Sequence, residues 1–177
     1  SSWARRTNGM MGRTPDYMNV SFMAMAAAQG YFEQNRSEFG ANIRRYYEYI
    51  RERDLVLTHT LLNFQRSRLS QATPLEDSTD TASTVIEERT DGVVVHGARI
   101  LATLGPLADE IAVYPTRSHS LPGSAPDQTV FAFSIPCETH GLKFLCRESF
   151  DLGNSHFDHP LGSRFEEMDA VVIFDHV

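Results

Sequence analysis

The sequence contains two residues near its start whose types and spacing could hold an oxygen anion. Arg13 and Tyr17 are four positions apart, and side chains at that spacing lie on the same side of a helix. A guanidinium supplies positive charge and a phenol supplies a hydroxyl donor, so the pair could bind an oxyanion. The alternative is an ordinary helix start, with Pro15 in the first turn and Asp16 as a favourable first-turn charge. The residues alone leave both interpretations open.

A third candidate is His59, which lies in an apolar stretch that predicts a strand. Histidine titrates near neutral pH and is therefore well suited to move a proton. A histidine in such a strand is also commonly a hydrogen-bonded core residue. The strand runs into residues 65–81, a segment rich in Ser, Thr and Pro that predicts a long loop. Loops of that length in compact domains are usually functional or mobile, so this end of the strand is a plausible ligand edge.

The histidine and cysteine positions predict no metal site. His156, Asp158 and His159 are close together, but a neighbouring proline and several glycines predict a loop, and no further ligand set accompanies them. Cys137 and Cys146 are too few and wrongly spaced for a disulfide framework or a zinc site. We therefore interpret both cysteines as core residues in a reducing compartment.

Composition and charge argue against several classes of protein. The 177 residues carry a formal net charge of −7, which disfavours nucleic acid as a partner. No apolar run approaches the roughly 18–20 residues that span a bilayer, and the start lacks the apolar stretch of a signal peptide. A cytoplasmic location is therefore expected. Ten of the sixteen basic residues lie in residues 1–68, which suits either an anionic cofactor or a solvated helix face.

The hydrophobic pattern changes near residue 55. Residues 16–53 predict two helices with a break marked by Gly30 and Gly40. From residue 55 onward, β-branched runs alternate with turn signals, as in an all-β unit. The apolar stripes at helical spacing are Met18, Phe22, Met25 and Ala26 in the first helix and Ile43, Tyr46, Tyr47 and Ile50 in the second.

The later part of the sequence predicts a series of strands joined by turns. Asp91-Gly92 is a strong hairpin signal between strands at 84–88 and 92–95. Further strands are predicted at 55–62, 110–114, 129–135, 142–146 and 170–177. Residues 97–110 indicate a strand, a turn and a polar Thr103. Both ends have the pattern of interrupted structure, so we expect a segment of a longer chain.

Five segments, taken together, resemble the oxygenase component of 4-hydroxyphenylacetate 3-monooxygenase and its relatives, which include chlorophenol monooxygenases and a pyoverdine-chromophore enzyme. They are GRTPDYMN at 12–19, LTHT at 57–60, residues 97–114, CRE at 146–148, and residues 158–175, which begin DHPL. The segments occur in the same order across nearly all of the sequence. Five ordered matches are far more specific than any one of them.

The resemblance implies an α+β fold of the acyl-CoA-dehydrogenase-like type. Residues 1–54 would be the end of an N-terminal helical domain, and residues 55–177 would be a central, antiparallel β-barrel-like domain on the flavin and substrate side. The C-terminal helical bundle of the family would be absent from this fragment. Full-length members of the family usually assemble as homotetramers.

The implied activity is a two-component, flavin-dependent monooxygenase reaction. Reduced FAD, supplied by a separate flavin reductase, and O2 would be used to hydroxylate a small phenol ortho to its hydroxyl group. 4-Hydroxyphenylacetate and chlorophenols are the expected kind of substrate. No membrane or nucleic acid partner is implied.

The resemblance also implies roles for individual residues. Arg13, Tyr17 and His59 would be catalytic and would converge on the phenol oxygen beside the flavin ring. Arg13 would lower the pKa of the phenol, His59 would accept or share its proton, and Tyr17 would orient the oxygen. The cofactor-binding residues would be Thr60, Leu61, Gln65, Arg68 and Thr103.

Two other functions stay open. 4-Hydroxybutyryl-CoA dehydratase has the same fold type but carries an iron–sulfur cluster held by Cys and His, and the segment from Arg13 to Tyr17 contains no cysteine. A non-catalytic β domain that serves as a binding module is the other alternative. Reductase-dependent oxygenation of a phenol would distinguish the enzyme from both.

Overall fold

The structure is a computed structural model of the 177-residue chain. It describes residues 2–6, 8–9, 16–34, 36–63, 82–115, 128–150, 153, 156–165 and 168–177. The chain divides into two compact units. One contains residues 1–57, 107–110 and 149–166, and the other contains residues 58–106, 111–148 and 167–177.

The first unit contains the helices. They are α1 (Ser2–Arg6), α2 (Tyr17–Ala27), α3 (Gln29–Phe32), α4 (Ser37–Glu52) and α5 (Gly162–Phe165). The predicted apolar stripes pack as expected, because Met18 and Phe22 of α2 and Ile50 of α4 are buried. The Phe22 and Tyr46 rings meet edge to face at 4.7 Å between centroids, which is a favoured aromatic geometry.

The predicted break between the two helices is real, but the glycines do not cause it. Gly30 lies inside α3, and Gly40 lies inside α4 and is buried. A Cβ on Gly40 would meet the Glu33 side chain, so close packing explains this glycine. The chain leaves α3 at Phe32 and enters α4 at Ser37.

The second unit contains most of the strand residues. Leu57 of β1 and Glu110 of β5 are the exceptions, since they belong to the first unit. The strands are β1 (Leu57–Thr60), β2 (Leu62–Asn63), β3 (Thr84–Glu88), β4 (Val93–Thr103), β5 (Glu110–Val113), β6 (Phe133–Pro136), β7 (Leu142–Cys146) and β8 (Asp169–Phe174).

The described strands form two sheets. One has the order β1-β5-β6, and the other has the order β2-β4-β8-β7 with β3 paired to β4. The β2–β4, β3–β4, β4–β8 and β7–β8 pairs are antiparallel. The prediction of a mixed helix and sheet fold is thus confirmed. The barrel-like closure stays a prediction, as does the domain boundary between residues 54 and 55.

The strand bounds confirm some predictions and correct others. β3 and β7 lie where the sequence predicts them, and Asp91-Gly92 joins β3 to β4 as a hairpin in which Arg89 N donates to the Gly92 oxygen. β4 joins the strand predicted at 92–95 and the strand predicted within residues 97–110 into one element, and β6 begins at Phe133 instead of residue 129. The burial of β4 alternates from Val95 to Ile100, and the strand continues past an irregularity to Thr103, where it still pairs with β8.

The core of the second unit lies on the buried faces of β4, β5 and β8. Its buried members are Val95, Ala102, Ile111, Val113, Val172 and Phe174. Cys137 packs against this cluster, as expected for a core cysteine. The same prediction is wrong for Cys146, which is exposed at the end of β7. No helix among the described residues is long and apolar enough to cross a bilayer.

Candidate functional site

The eight predicted site residues are not all within the described part of the chain. Arg13, Gln65 and Arg68 lie outside the described residues. Tyr17 is the first residue of α2 and is half-buried in the helical unit. His59, Thr60, Leu61 and Thr103 belong to the second unit. Convergence of Arg13, Tyr17 and His59 on one oxygen therefore stays a prediction.

Strand β1 presents its side chains to two different environments. Successive side chains of a strand point to opposite faces, and Thr58 and Thr60 are both fully buried. The Thr58 hydroxyl donates to the Thr103 carbonyl oxygen at 2.6 Å, and the Thr60 hydroxyl donates to the Ile100 carbonyl oxygen at 2.9 Å. The two threonines therefore attach β1 to β4 and leave His59 on the other face.

The His59 ring packs against Tyr114. The two rings meet edge to face, with centroids 6.1 Å apart and an interplanar angle of 87°. Both side chains are half-buried. Tyr114 is held in turn by its backbone, because its N–H donates to the Thr60 carbonyl oxygen at 3.0 Å. The orientation of His59 thus depends on a residue that follows β5.

Arg99 binds the backbone carbonyl group of Tyr114. Its guanidinium is completely buried and donates to the Tyr114 carbonyl oxygen at 2.5 Å, to Ser83 Oγ at 2.6 Å and to the Thr129 carbonyl oxygen at 3.3 Å. It also lies 4.6 Å above the centre of the Phe131 ring, within the range of a cation–π contact. Burial lowers the pKa of Arg99 to about 10, so it stays positively charged at neutral pH.

Thr103 lies next to an irregularity of β4. Its hydroxyl donates to Asp169 Oδ1 at 2.5 Å. Between Arg99 and Ala102 the register against β8 shifts, and Leu101 in this stretch has φ of +67°. A bulge of this kind bends the strand and redirects side chains, and bulges are frequent beside active sites. The bulge thus separates the buried Arg99 from Thr103.

Two residues beside the predicted site were not identified from residue types alone. They are Tyr114, which packs against His59, and Arg99, which donates to the Tyr114 carbonyl oxygen. A signal for Arg99 was available, since it is the one arginine or lysine in the mostly apolar stretch from Val93 to Thr103. A charge in such a strand must find hydrogen-bond partners if it is buried. Tyr114 had a weaker signal, because it ends the apolar run that precedes Pro115.

The loop histidines that raised the question of a metal have other contacts. His156 Nδ1 lies 2.8 Å from Ser163 Oγ. The His159 ring stacks on Phe150, with centroids 4.3 Å apart. Metal-binding geometry among the described residues is found elsewhere, at the end of β8.

Comparison with known proteins gives consistent matches. The family model described as 4-hydroxyphenylacetate 3-hydroxylase N terminal matches residues 1–177. The 4-hydroxyphenylacetate 3-monooxygenase oxygenase component of Geobacillus sp. (strain PA-9) is 47% identical over 175 residues, which are 99% of this chain and 35% of that protein. A crystal structure of such an oxygenase component complexed with FAD and 4-hydroxyphenylacetate has a TM-score of 0.76 and 45% identity, over 99% of this chain and 35% of that one.

A more distant match shows the fold alone. An oxygen-tolerant archaeal 4-hydroxybutyryl-CoA dehydratase from N. maritimus has a TM-score of 0.68 but only 13% identity, over 88% of this chain and 31% of that one. The chain spans about a third of the length of the curated relatives that it matches. On the match of its whole length and the identity to these relatives, the chain belongs to the 4-hydroxyphenylacetate 3-hydroxylase family, of which it has the N-terminal part.

Proposed function

We propose that this protein is the oxygenase component of a two-component phenol hydroxylase that uses reduced FAD and O2. The observation that carries the proposal is the 45% identity to an oxygenase component crystallised with FAD and 4-hydroxyphenylacetate. That identity extends over 99% of this chain. The substrate would be a small phenol such as 4-hydroxyphenylacetate or a chlorophenol, and the product the corresponding catechol.

The proposed chemistry assigns one task to each catalytic side chain. An ortho carbon is more nucleophilic when the phenol oxygen carries negative charge. His59 would take or share the phenol proton, which its neutral ring can do near pH 7. Arg13 would stabilise the resulting oxyanion by charge, and Tyr17 would donate a hydrogen bond that orients it. The Tyr114 ring would support the His59 ring in that position.

The described residues after β1 are compatible with an aromatic cofactor. Leu61 and Leu62 are each 44% exposed, so apolar surface is available for ring contact at this edge. The Thr60 side chain is buried and bonded to Ile100, and Thr103 is bonded to Asp169. When bound, reduced FAD would supply the oxygen chemistry, while the protein binds, orients and excludes water.

The proposal includes the architecture, assembly and partner of the full-length protein. The full-length protein would have the acyl-CoA-dehydrogenase-like architecture, with this chain as the helical and β-barrel-like portion, and would assemble as a homotetramer. A separate flavin reductase would be its partner. Gln65 and Arg68 would join Thr60, Leu61 and Thr103 along the flavin. The cytoplasmic location stays a prediction.

The test is reductase-dependent oxygenation by the full-length protein. The protein is mixed with a flavin reductase, NADH, FAD and either 4-hydroxyphenylacetate or a chlorophenol under isotopically labelled O2. Mass spectrometry is expected to find a catechol that contains one labelled oxygen atom. Hydrogen peroxide without catechol for every phenol would contradict the proposed function.

Two matched histidine variants test the role of the β1 residue. His59→Gln is expected to lower the rate of catechol formation by roughly 100-fold or more, since general acid–base groups contribute about 10²–10⁴-fold. His140→Gln changes an exposed histidine of the same unit and is expected to retain activity. Equal activity of the two variants would remove His59 from the proposed mechanism.

A further inference from the structure

A second group of ionisable side chains lies where β8 ends beside β4. It consists of His96, Asp175 and His176, each of which offers one ligand atom, and these atoms all lie within 4.8 Å of one another. The two imidazole rings are 4.6 Å apart between centroids, at an interplanar angle of 46°. None of the three is part of the proposed phenol and flavin site.

The Asp175 carboxylate is held by hydrogen bonds on both of its oxygens. Its Oδ1 lies 3.1 Å from Nδ1 of His176, and its Oδ2 accepts from Nζ of Lys143 at 2.6 Å. Lys143 therefore fixes one oxygen of the carboxylate, as an outer partner commonly does for metal-binding carboxylates.

His96 contributes an unusual ring nitrogen. Its Nδ1 is buried and has no hydrogen-bond partner among the described residues, whereas most buried polar atoms have one. A neutral imidazole with the proton on Nε2 presents a lone pair at Nδ1. A lone pair of this kind can accept a hydrogen bond or a metal ion.

The backbone under these side chains is held in place. Val95 and Val177 exchange two backbone hydrogen bonds, at 2.7 and 3.0 Å, and Asp175 N donates to the Gly141 oxygen at 3.0 Å. Gly141 has φ of +87°, and a Cβ there would lie 2.6 Å from the backbone carbonyl oxygen of Asp175. His176 itself has φ of +58°, which is uncommon for a residue with a side chain. These contacts hold the backbone near the three ligand residues. The distances between the ligand atoms can therefore change mainly by rotation of the side chains.

We propose that His96, Asp175 and His176 bind one divalent transition-metal ion of the zinc type. Two imidazoles and one carboxylate are a ligand set that such ions prefer, with water in the remaining position. Mg²⁺ and Ca²⁺ prefer oxygen ligands and are disfavoured here. Ligand atoms around tetrahedral zinc are roughly 3.4 Å apart at bond lengths of about 2.1 Å. The ligand atoms here lie within 4.8 Å of one another, so the most distant pair must move closer together by up to about 1.4 Å.

The test is a calorimetric titration of the full-length protein with Zn²⁺, with Mg²⁺ as the comparison ion. Zn²⁺ is expected to bind with one ion per chain and a Kd of about micromolar or below, and Mg²⁺ is expected not to bind at this site. His96→Gln and His176→Gln are each expected to weaken Zn²⁺ binding at least tenfold. His159→Gln, an exposed histidine elsewhere, is the matched control and is expected to leave the Kd unchanged.

A second measurement distinguishes loss of metal binding from loss of the folded structure. His176 is exposed, so His176→Gln is expected to keep the circular dichroism spectrum of the parent protein. Co²⁺ bound by the parent protein is expected to show the visible absorption of a four-coordinate ion, which the folded His176→Gln protein loses. Absence of stoichiometric Zn²⁺ binding, or an unchanged Kd in His176→Gln, would overturn the proposal. Neither result bears on phenol hydroxylation.

Discussion

The buried guanidinium of Arg99 offers the sharpest test of how the β unit is held together. Arg99 connects three parts of the chain that are far apart in sequence, at Ser83, Tyr114 and Thr129. Arg99→Met replaces the arginine with another unbranched side chain and removes all of its hydrogen-bond donors. The carbonyl oxygens of Tyr114 and Thr129 then lose a charged donor.

The expected loss follows from the number of hydrogen bonds. Hydrogen bonds to a charged group contribute about 1.5–3 kcal/mol each, and a buried acceptor left unsatisfied costs about 1–3 kcal/mol. Two carbonyl oxygens and one hydroxyl lose their donor, and the bond to Thr129 is long at 3.3 Å. Removal of the buried charge offsets part of the loss. We expect Arg99→Met to lower the free energy of unfolding by about 2–4 kcal/mol.

Urea denaturation followed by circular dichroism measures this difference. Arg99→Lys keeps the charge but lacks the planar fork of donors, so its loss should be smaller than that of Arg99→Met. Arg89→Met is the matched control, because Arg89 is exposed and its ion pair with Glu87 lies on the surface, where such pairs contribute about 0–1 kcal/mol. Equal effects of Arg99→Met and Arg89→Met would refute the reasoning.

Three further outcomes can be checked on the same protein. Gly97→Ala is expected to destabilise it by at least about 1–2 kcal/mol in urea denaturation, because Gly97 has φ of +115° and a Cβ would collide with neighbouring backbone; a stability equal to the parent would contradict this. Phe174→Ala should cost about 3–5 kcal/mol, since Phe174 is fully buried, whereas Leu107→Ala, at an exposed position, should cost much less. Lys143→Met should raise the pKa of Asp175 from about 2, seen as a higher midpoint in an NMR titration of its carboxyl carbon. The depressed pKa means that Asp175 stabilises the folded state above the pKa of its unfolded form and loses this effect as pH falls through about 2; an unchanged midpoint would exclude the lysine as the cause.

Local patterns predicted the elements of this fold well. The helical stripe that contains Met18 and Phe22 is buried as its spacing indicates, and the Asp91-Gly92 turn joins two antiparallel strands. These features depend on neighbours within a few positions in the sequence. Spacing and turn chemistry are therefore sufficient to predict them.

The features that pattern could not predict depend on distant partners. Gly40 has the signal of a helix break, yet it lies inside α4, where a Cβ would collide with the Glu33 side chain. The bulge of β4 is visible only in its register against β8. The role of Arg99 depends on acceptors that are 15 to 30 positions away. Periodicity carries no information about such pairs, although a cation in an apolar strand does indicate that partners must exist.

The arrangement of β1 explains how one short strand can serve both stability and chemistry. Thr58 and Thr60 use their hydroxyls to bond β4, and both are fully buried. His59, between them, points to the opposite face by the alternation of the strand. A slip of one residue would bury the histidine and expose both threonines. The two threonine hydrogen bonds therefore fix which face His59 occupies, and through Tyr114 the buried Arg99 fixes what its ring packs against.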